Sequence, residues 1–82
     1  MYSTQVRAVA ISAGQQHSLV LSDEGAPYAF GSGFGGKLGL GDQLPRALPT
    51  RIEALSEPLA VLEAGSHHSL AATAAGRVYS FG

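Results

Sequence analysis

Cysteine is absent from the 82 residues, which excludes disulfides, thiolate catalysis and a disulfide-stapled secreted scaffold. Charge is scarce. Five basic and six acidic residues leave a net charge of −1, too weak a field to draw nucleic acid or an anionic membrane. No apolar run approaches the roughly 20 residues of a membrane span, and Met1-Tyr2-Ser3-Thr4-Gln5 lacks the apolar stretch of a signal peptide. Tryptophan is missing as well. A chain of this length buries only about 60% of the surface it exposes when unfolded. Burial then barely offsets the entropy of ordering the chain, and neighbouring structure is expected to supply the rest.

Glycine, by contrast, is abundant, with 11 residues, and it falls in a repeating frame. Ala13-Gly14-Gln15-Gln16-His17-Ser18-Leu19 recurs as Ala64-Gly65-Ser66-His67-His68-Ser69-Leu70, at an offset of 51 residues. The same offset pairs Ile11 with Leu62, Gly25 with Gly76, Tyr28 with Tyr79, Phe30 with Phe81 and Gly31 with Gly82. A period of this length suits a propeller blade better than most helical repeats.

Patterning inside each copy is that of strands. Val9, Ile11 and Ala13 alternate with Ala10 and Ser12. His17, Leu19 and Leu21 alternate with Ser18, Val20 and Ser22. Asp23-Glu24-Gly25 makes a turn before Pro27-Tyr28-Ala29-Phe30. Period-two alternation between glycine turns signals an antiparallel meander. The second copy predicts strands at Val61–Ala64, His68–Thr73 and Arg77–Phe81, with the weak turn Ala74-Ala75 between the last two. The helix formers in 57–64 are overruled, because their counterparts in 6–13 are rich in β-branched residues. Residues 31–48 carry too much glycine for a helix. They predict an ordered loop pinned by Phe34, Leu38 and Leu40, then a chain kept extended by Pro45 and Pro49, with a short strand over Pro49–Leu55.

These residues together carry a family likeness. Ile11-Ser12-Ala13-Gly14, His17-Ser18-Leu19, Asp23-Glu24-Gly25, Tyr28-Ala29-Phe30-Gly31, Gly36-Lys37-Leu38-Gly39-Leu40-Gly41-Asp42 and Pro49 resemble the regulator of chromosome condensation repeat, over residues 6–82. The resemblance implies an all-β fold of antiparallel blade units belonging to a seven-bladed β-propeller. Residues 6–56 would form one complete repeat and 57–82 the first half of the next, so about one and a half blades and an incomplete ring. The structural repeat positions it implies are Gly14, His17, Leu19, Gly25, Tyr28, Phe30, Gly31, Leu38, Gly39 and Gly41, then Gly65, His68, Leu70, Gly76, Tyr79, Phe81 and Gly82. Glutamine is the family's commonest residue at position 37, and Lys37 reads as a tolerated surface change.

Each pattern with a chemical reading has a plainer one. Gly31-Ser32-Gly33-Phe34-Gly35-Gly36 satisfies GxGxxG, and Gly31 to Lys37 most of a phosphate loop. Leu38, however, stands where the loop needs Ser or Thr, and no helix can start there, so tight turns are the better reading. His17 and His68 occupy one repeat position a blade apart, and with His67 they read as structural histidines rather than metal ligands. His17 and Ser18 point to opposite faces of a strand, which fails the geometry of a hydrolytic triad. Tyr28, Phe30, Tyr79 and Phe81 lack a basic groove for stacked bases and read as packing. Arg46 and Arg51 read as an exposed cationic pair, and Gly14 as a strand end of positive φ.

The expected role is a protein–protein interaction scaffold without intrinsic catalysis, cofactor or metal. Expected partners are the remaining blades and a protein such as a small GTPase, with no direct nucleic-acid site and an intracellular, cytoplasmic or nuclear, location. The alternative is part of a guanine-nucleotide exchange factor for a small GTPase. Ultraviolet sensing, known in the same family, depends on clustered tryptophans and is excluded for this segment.

Overall fold

The computed structural model describes residues 7–82; Val6, the expected start of the first repeat, lies outside them. Two antiparallel sheets make up the architecture. The first is a four-stranded meander, β1 (Ala8–Ala13), β2 (His17–Ser22), β3 (Pro27–Gly31) and β4 (Arg46–Arg51), paired in that order. The second is three-stranded, β5 (Leu59–Ala64), β6 (Ser69–Thr73) and β7 (Val78–Phe81). No helix longer than a three-residue 3₁₀ turn, Phe34–Gly36, occurs among the described residues.

The repeat in sequence is also a repeat in hydrogen bonding. The Gly14 and Gly65 N–H groups donate to the His17 and His68 carbonyls, each at 2.8 Å. The Gly25 and Gly76 N–H groups close their turns onto the Ser22 and Thr73 carbonyls, each at 3.0 Å. The Ser22 hydroxyl accepts from the Ala26 N–H and the Thr73 hydroxyl from the Arg77 N–H, again at 3.0 Å each. This hydroxyl clamp satisfies a turn donor without help from the turn residues, and it holds the Ala74-Ala75 turn although alanine gives no turn chemistry. A register shift between Ala8 and Ala10 recurs between Leu59 and Val61.

Successive residues of a strand face opposite ways. His17, Leu19 and Leu21 of β2 turn toward the second sheet, while Ser69, Ala71 and Thr73 of β6 turn toward the first. The core is the seam between them. Leu19, Leu21, Ala29, Leu38, Ile52 and Leu55 come from the first sheet and its loops, and Leu59, Leu62 and Ala71 from the second. Strand β5 packs across β1 and β2.

Three expectations about the loops are corrected. Phe34 does not pin the glycine-rich loop, for it is 71% exposed. Leu38 holds it instead, buried in the seam with Leu40 beside it. The strand placed over Pro49–Leu55 begins earlier, at Arg46, and ends at Arg51; Ile52 then turns into the core and its N–H bonds the Pro27 carbonyl. Gly14 is not in the positive-φ region. Its need is space: a Cβ there would collide with the Gly65 carbonyl oxygen and come within 2.6 Å of the His17 ring. Gly25, Gly31, Gly39, Gly41, Gly76 and Gly82 do take positive φ. Gly31, at φ 105°, is also crowded, because a Cβ there would lie 2.7 Å from the Gln16 carbonyl oxygen.

Candidate functional site

The polar centre of the molecule lies inside the seam. His17 projects from the first residue of β2, and its Nε2 lies 2.9 Å from the Ser69 hydroxyl on β6. That hydroxyl donates its own hydrogen to the Lys37 carbonyl at 2.7 Å. A serine has one hydrogen to give, so the histidine must donate from Nε2. Nδ1 is then a bare lone pair, and it is buried without a partner. The ring is therefore neutral. Burial holds its pKa below the ordinary histidine value, the Lys37 charge adds to this, and contact with the His68 backbone opposes it only in part. One side-chain network thus joins β2, the glycine-rich loop and β6. On the neighbouring strand pair, the Ala64 N–H donates to the Ser12 hydroxyl at 2.9 Å, a second polar bridge between the sheets.

A serine and a histidine at this distance invite a catalytic reading, which the geometry rejects for this pair. The Ser69 hydrogen is committed to a carbonyl, no carboxylate orients Nδ1, and Ser69 is completely enclosed. The network is a fastener.

Lys37 corrects another expectation. It is not a surface substitution: the residue is 3% exposed. Its carbonyl serves the seam, and its backbone packs against Gly82, where a Cβ would meet the Lys37 Cα at 2.8 Å. Arg46 and Arg51 do not form a free cationic pair either. Arg46 donates from Nη2 to the Asp42 carboxylate at 3.0 Å, and this bond holds the Asp42 pKa below the usual carboxylate range. Leu40, Arg46, Thr50, Arg51 and Glu53 border an open groove of about 420 Å³ beside the loop.

Of the repeat positions read from sequence, His17, Leu19 and Leu38 meet in the seam, with Gly14, Gly39, Gly65, Phe81 and Gly82 against it. Tyr28 and Phe30 are half-buried on β3, Gly31 ends that strand opposite His17, and Gly25 and Gly41 sit in bends. His68 and Leu70 are exposed on the outer side of the second sheet, Gly76 sits in its turn, and Tyr79, paired with Ala71, is on the seam-facing side but 38% exposed. Ser69 and the turn hydroxyls of Ser22 and Thr73 were not singled out in the sequence, and Lys37 was read as surface. A serine following the histidine in both copies was the available signal. Among the described residues no cluster of His, Asp and Glu could hold a metal ion, and no helix is long and apolar enough to cross a membrane.

Two meander sheets joined head to tail, stacked face on face and written in one 51-residue frame define a partial β-propeller. The profile of the Regulator of chromosome condensation (RCC1) repeat matches residues 24–72, and the chain belongs to that family. It is similar to the E3 ubiquitin-protein ligase MYCBP2 of Danio rerio, 41% identical over 81 residues that make 99% of this chain and 2% of that protein. It is likewise 41% identical over 78 residues to the human E3 ubiquitin-protein ligase HERC2, covering 94% of this chain and 2% of the relative. Mouse Protein RCC2 is 40% identical over 79 residues, 95% of this chain and 15% of its own length. Among solved structures, human WBSCR16 superposes with a TM-score of 0.89 at 28% identity, covering 100% of this chain and 21% of that one. Prp20p from Saccharomyces cerevisiae, described together with its binding properties to Gsp1p and histones, gives 0.82 at 29% identity, covering 98% of this chain and 21% of that one. The chain thus spans a small part of the relatives it matches.

Proposed function

We propose that this chain is the interaction-scaffold part of an RCC1-type propeller, with residues 6–56 forming one blade unit and 57–82 the opening of the next. The observation that carries the reading is the His17–Ser69–Lys37 fastener. It fixes the two sheets as a rigid base while leaving the glycine-rich loop and the groove along Leu40, Arg46 and Arg51 at the surface. Rigid blades that present surface loops bind proteins. The partner class is a protein, with a small GTPase the leading candidate; the likeness to Prp20p, described with its binding to Gsp1p and histones, supports this and an intracellular, cytoplasmic or nuclear, setting. The ligase activity in the names of other relatives belongs to proteins of which this chain spans 2%, and we assign none of it to this segment.

The same likeness supports nucleotide exchange as the second reading. Residues 31–46 between β3 and β4 would then form part of the GTPase-facing surface. Both readings are tested by titrating the chain against a panel of small GTPases loaded with fluorescent nucleotide. Binding without faster nucleotide release is the expected result. Accelerated release that is lost on Arg51→Glu would replace the scaffold reading with the exchange reading, and absence of binding to any member would remove the GTPase as partner.

A further inference from the structure

Two basic side chains are enclosed at the seam, and no acidic one accompanies them. His17 is 2% exposed and Lys37 is 3%. The ion pairs among the described residues join Arg46 to Asp42 and Arg77 to Glu57, both at the surface. No carboxylate faces the His17 ring from the elements packed around it. Strands β1, β2 and β6 carry no acidic or other basic side chain. On β3, Tyr28 alternates with the buried Ala29 and faces away from the seam. On β5, Glu63 alternates with the buried Leu62 and is exposed. On β7, Tyr79 directs its hydroxyl to Glu57. The charged groups that do act on His17 are Lys37 from the loop and His68 from just before β6, both of them basic.

The ring also has no place for a second proton. Its Nε2–H is engaged by Ser69, whose own hydrogen is engaged by the Lys37 carbonyl. A second proton has to sit on Nδ1, which is buried without a partner and turned toward Gly14, where a Cβ would lie 2.8 Å from it. An imidazolium here is an unsatisfied buried donor and a charge beside a lysine. We propose that this arrangement is an acid-operated latch: protonation of His17 drives its ring out of the seam and undocks the second sheet from the first, and Lys37 sets how readily acid opens it. The ladders within each sheet are backbone bonds that a proton on the ring does not touch. The seam is side-chain packing around the histidine network, so opening starts there. Docking is complete above the ordinary histidine value of about 6.5, where the ring is neutral folded or unfolded, and is lost as the pH falls below it. This inference rests on the seam alone and holds whatever protein the surface loops bind.

Nuclear magnetic resonance of the isotope-labelled 82-residue chain, titrated from about pH 8 to pH 5, tests it. The His17 ring nitrogens report its proton, the Leu38 and Ser69 amides report the seam, and the Gly25 and Gly76 amides report turns inside each sheet. The expected result is that the ring and the seam amides change together, ahead of the turn amides. Lys37→Met keeps the buried stem and the backbone carbonyl but not the charge, and its transition should move to lower pH. His17→Leu should lose the transition in this range. Lys37→Met removes no hydrogen bond of the seam, so the test does not depend on how well His17→Leu folds. A ring that takes its second proton while Leu38 and Ser69 stay unchanged would overturn the proposal. So would a wild-type seam still closed at the acid end, a Lys37→Met transition at the wild-type pH, or the same transition in His17→Leu.

Discussion

Replacing Ser69 by alanine removes one oxygen atom and leaves two buried groups without partners. The His17 Nε2–H loses its acceptor and the Lys37 carbonyl loses its donor. A buried polar group left unsatisfied costs about 1–3 kcal/mol, so the two together amount to about 2–6 kcal/mol. The whole stability of a chain of this length is about 4–12 kcal/mol, which makes the loss a large fraction. The measurement is urea unfolding followed by far-ultraviolet circular dichroism, run as a double-mutant cycle with His17→Leu. Removing the histidine first leaves Ser69 only its carbonyl partner, so the second substitution should cost less. A coupling of about 1–3 kcal/mol between the two sites is expected. Ser69→Ala within about 0.5 kcal/mol of wild type, or strictly additive substitutions, would refute the fastener.

Other substitutions separate crowding from backbone strain. Gly14→Ala should destabilise by about 1–3 kcal/mol through overpacking against His17 and Gly65. Gly76→Ala, at φ 95° with nothing near its Cβ, should show only the conformational cost of about 1–2 kcal/mol; thermal melting of both variants tells them apart, because only Gly14→Ala should also shift the His17 ring resonances. Leu19→Ala should cost about 2–5 kcal/mol, because Leu19 is enclosed in the seam, and a wild-type melting temperature would contradict the register of β2. Acid should weaken the fold through His17. Its folded pKa lies below the unfolded value of about 6.5, so its neutral burial costs nothing above that pH. Stability falls as the pH drops from there toward the folded pKa, by at most about 1.4 kcal/mol per pH unit. Urea midpoints between neutral and acid pH should show this slope in the wild type and a smaller one in His17→Leu.

The strand plan was legible in the sequence because a 51-residue frame repeats alternation, turns and glycines together, and two copies constrain one conformation more tightly than one. Even the helix formers Leu59 to Ala64 yield to it and lie in β5. The loop between β3 and β4 was harder to read. It has only one copy in the chain, so no second instance was present to show which of its residues face inward. Phe34 looked like an anchor by hydrophobicity alone, while Lys37, by charge, looked like surface. The fold instead buries the stem and backbone of the lysine beside Ser69 and leaves the aromatic ring outside. Gly14 was misread for a related reason. Glycine serves both left-handed backbone and close approach, and only the position of the Gly65 carbonyl shows which is needed. The seam network was invisible because His17 and Ser69 lie 52 residues apart, and a frame that matches like with like does not report which unlike positions touch.

The excursion between β3 and β4 is tethered at its feet and free at its crown. Leu38 and Gly39 are locked into packed surroundings, whereas Gly35, Gly36 and Gly41 have nothing within 4 Å of where a side chain would begin. Extra residues spliced into the crown would meet solvent rather than core. A lineage of such proteins can therefore diversify there, lengthening or recolouring the tip for new ligands, without having to solve the stacking of its sheets a second time.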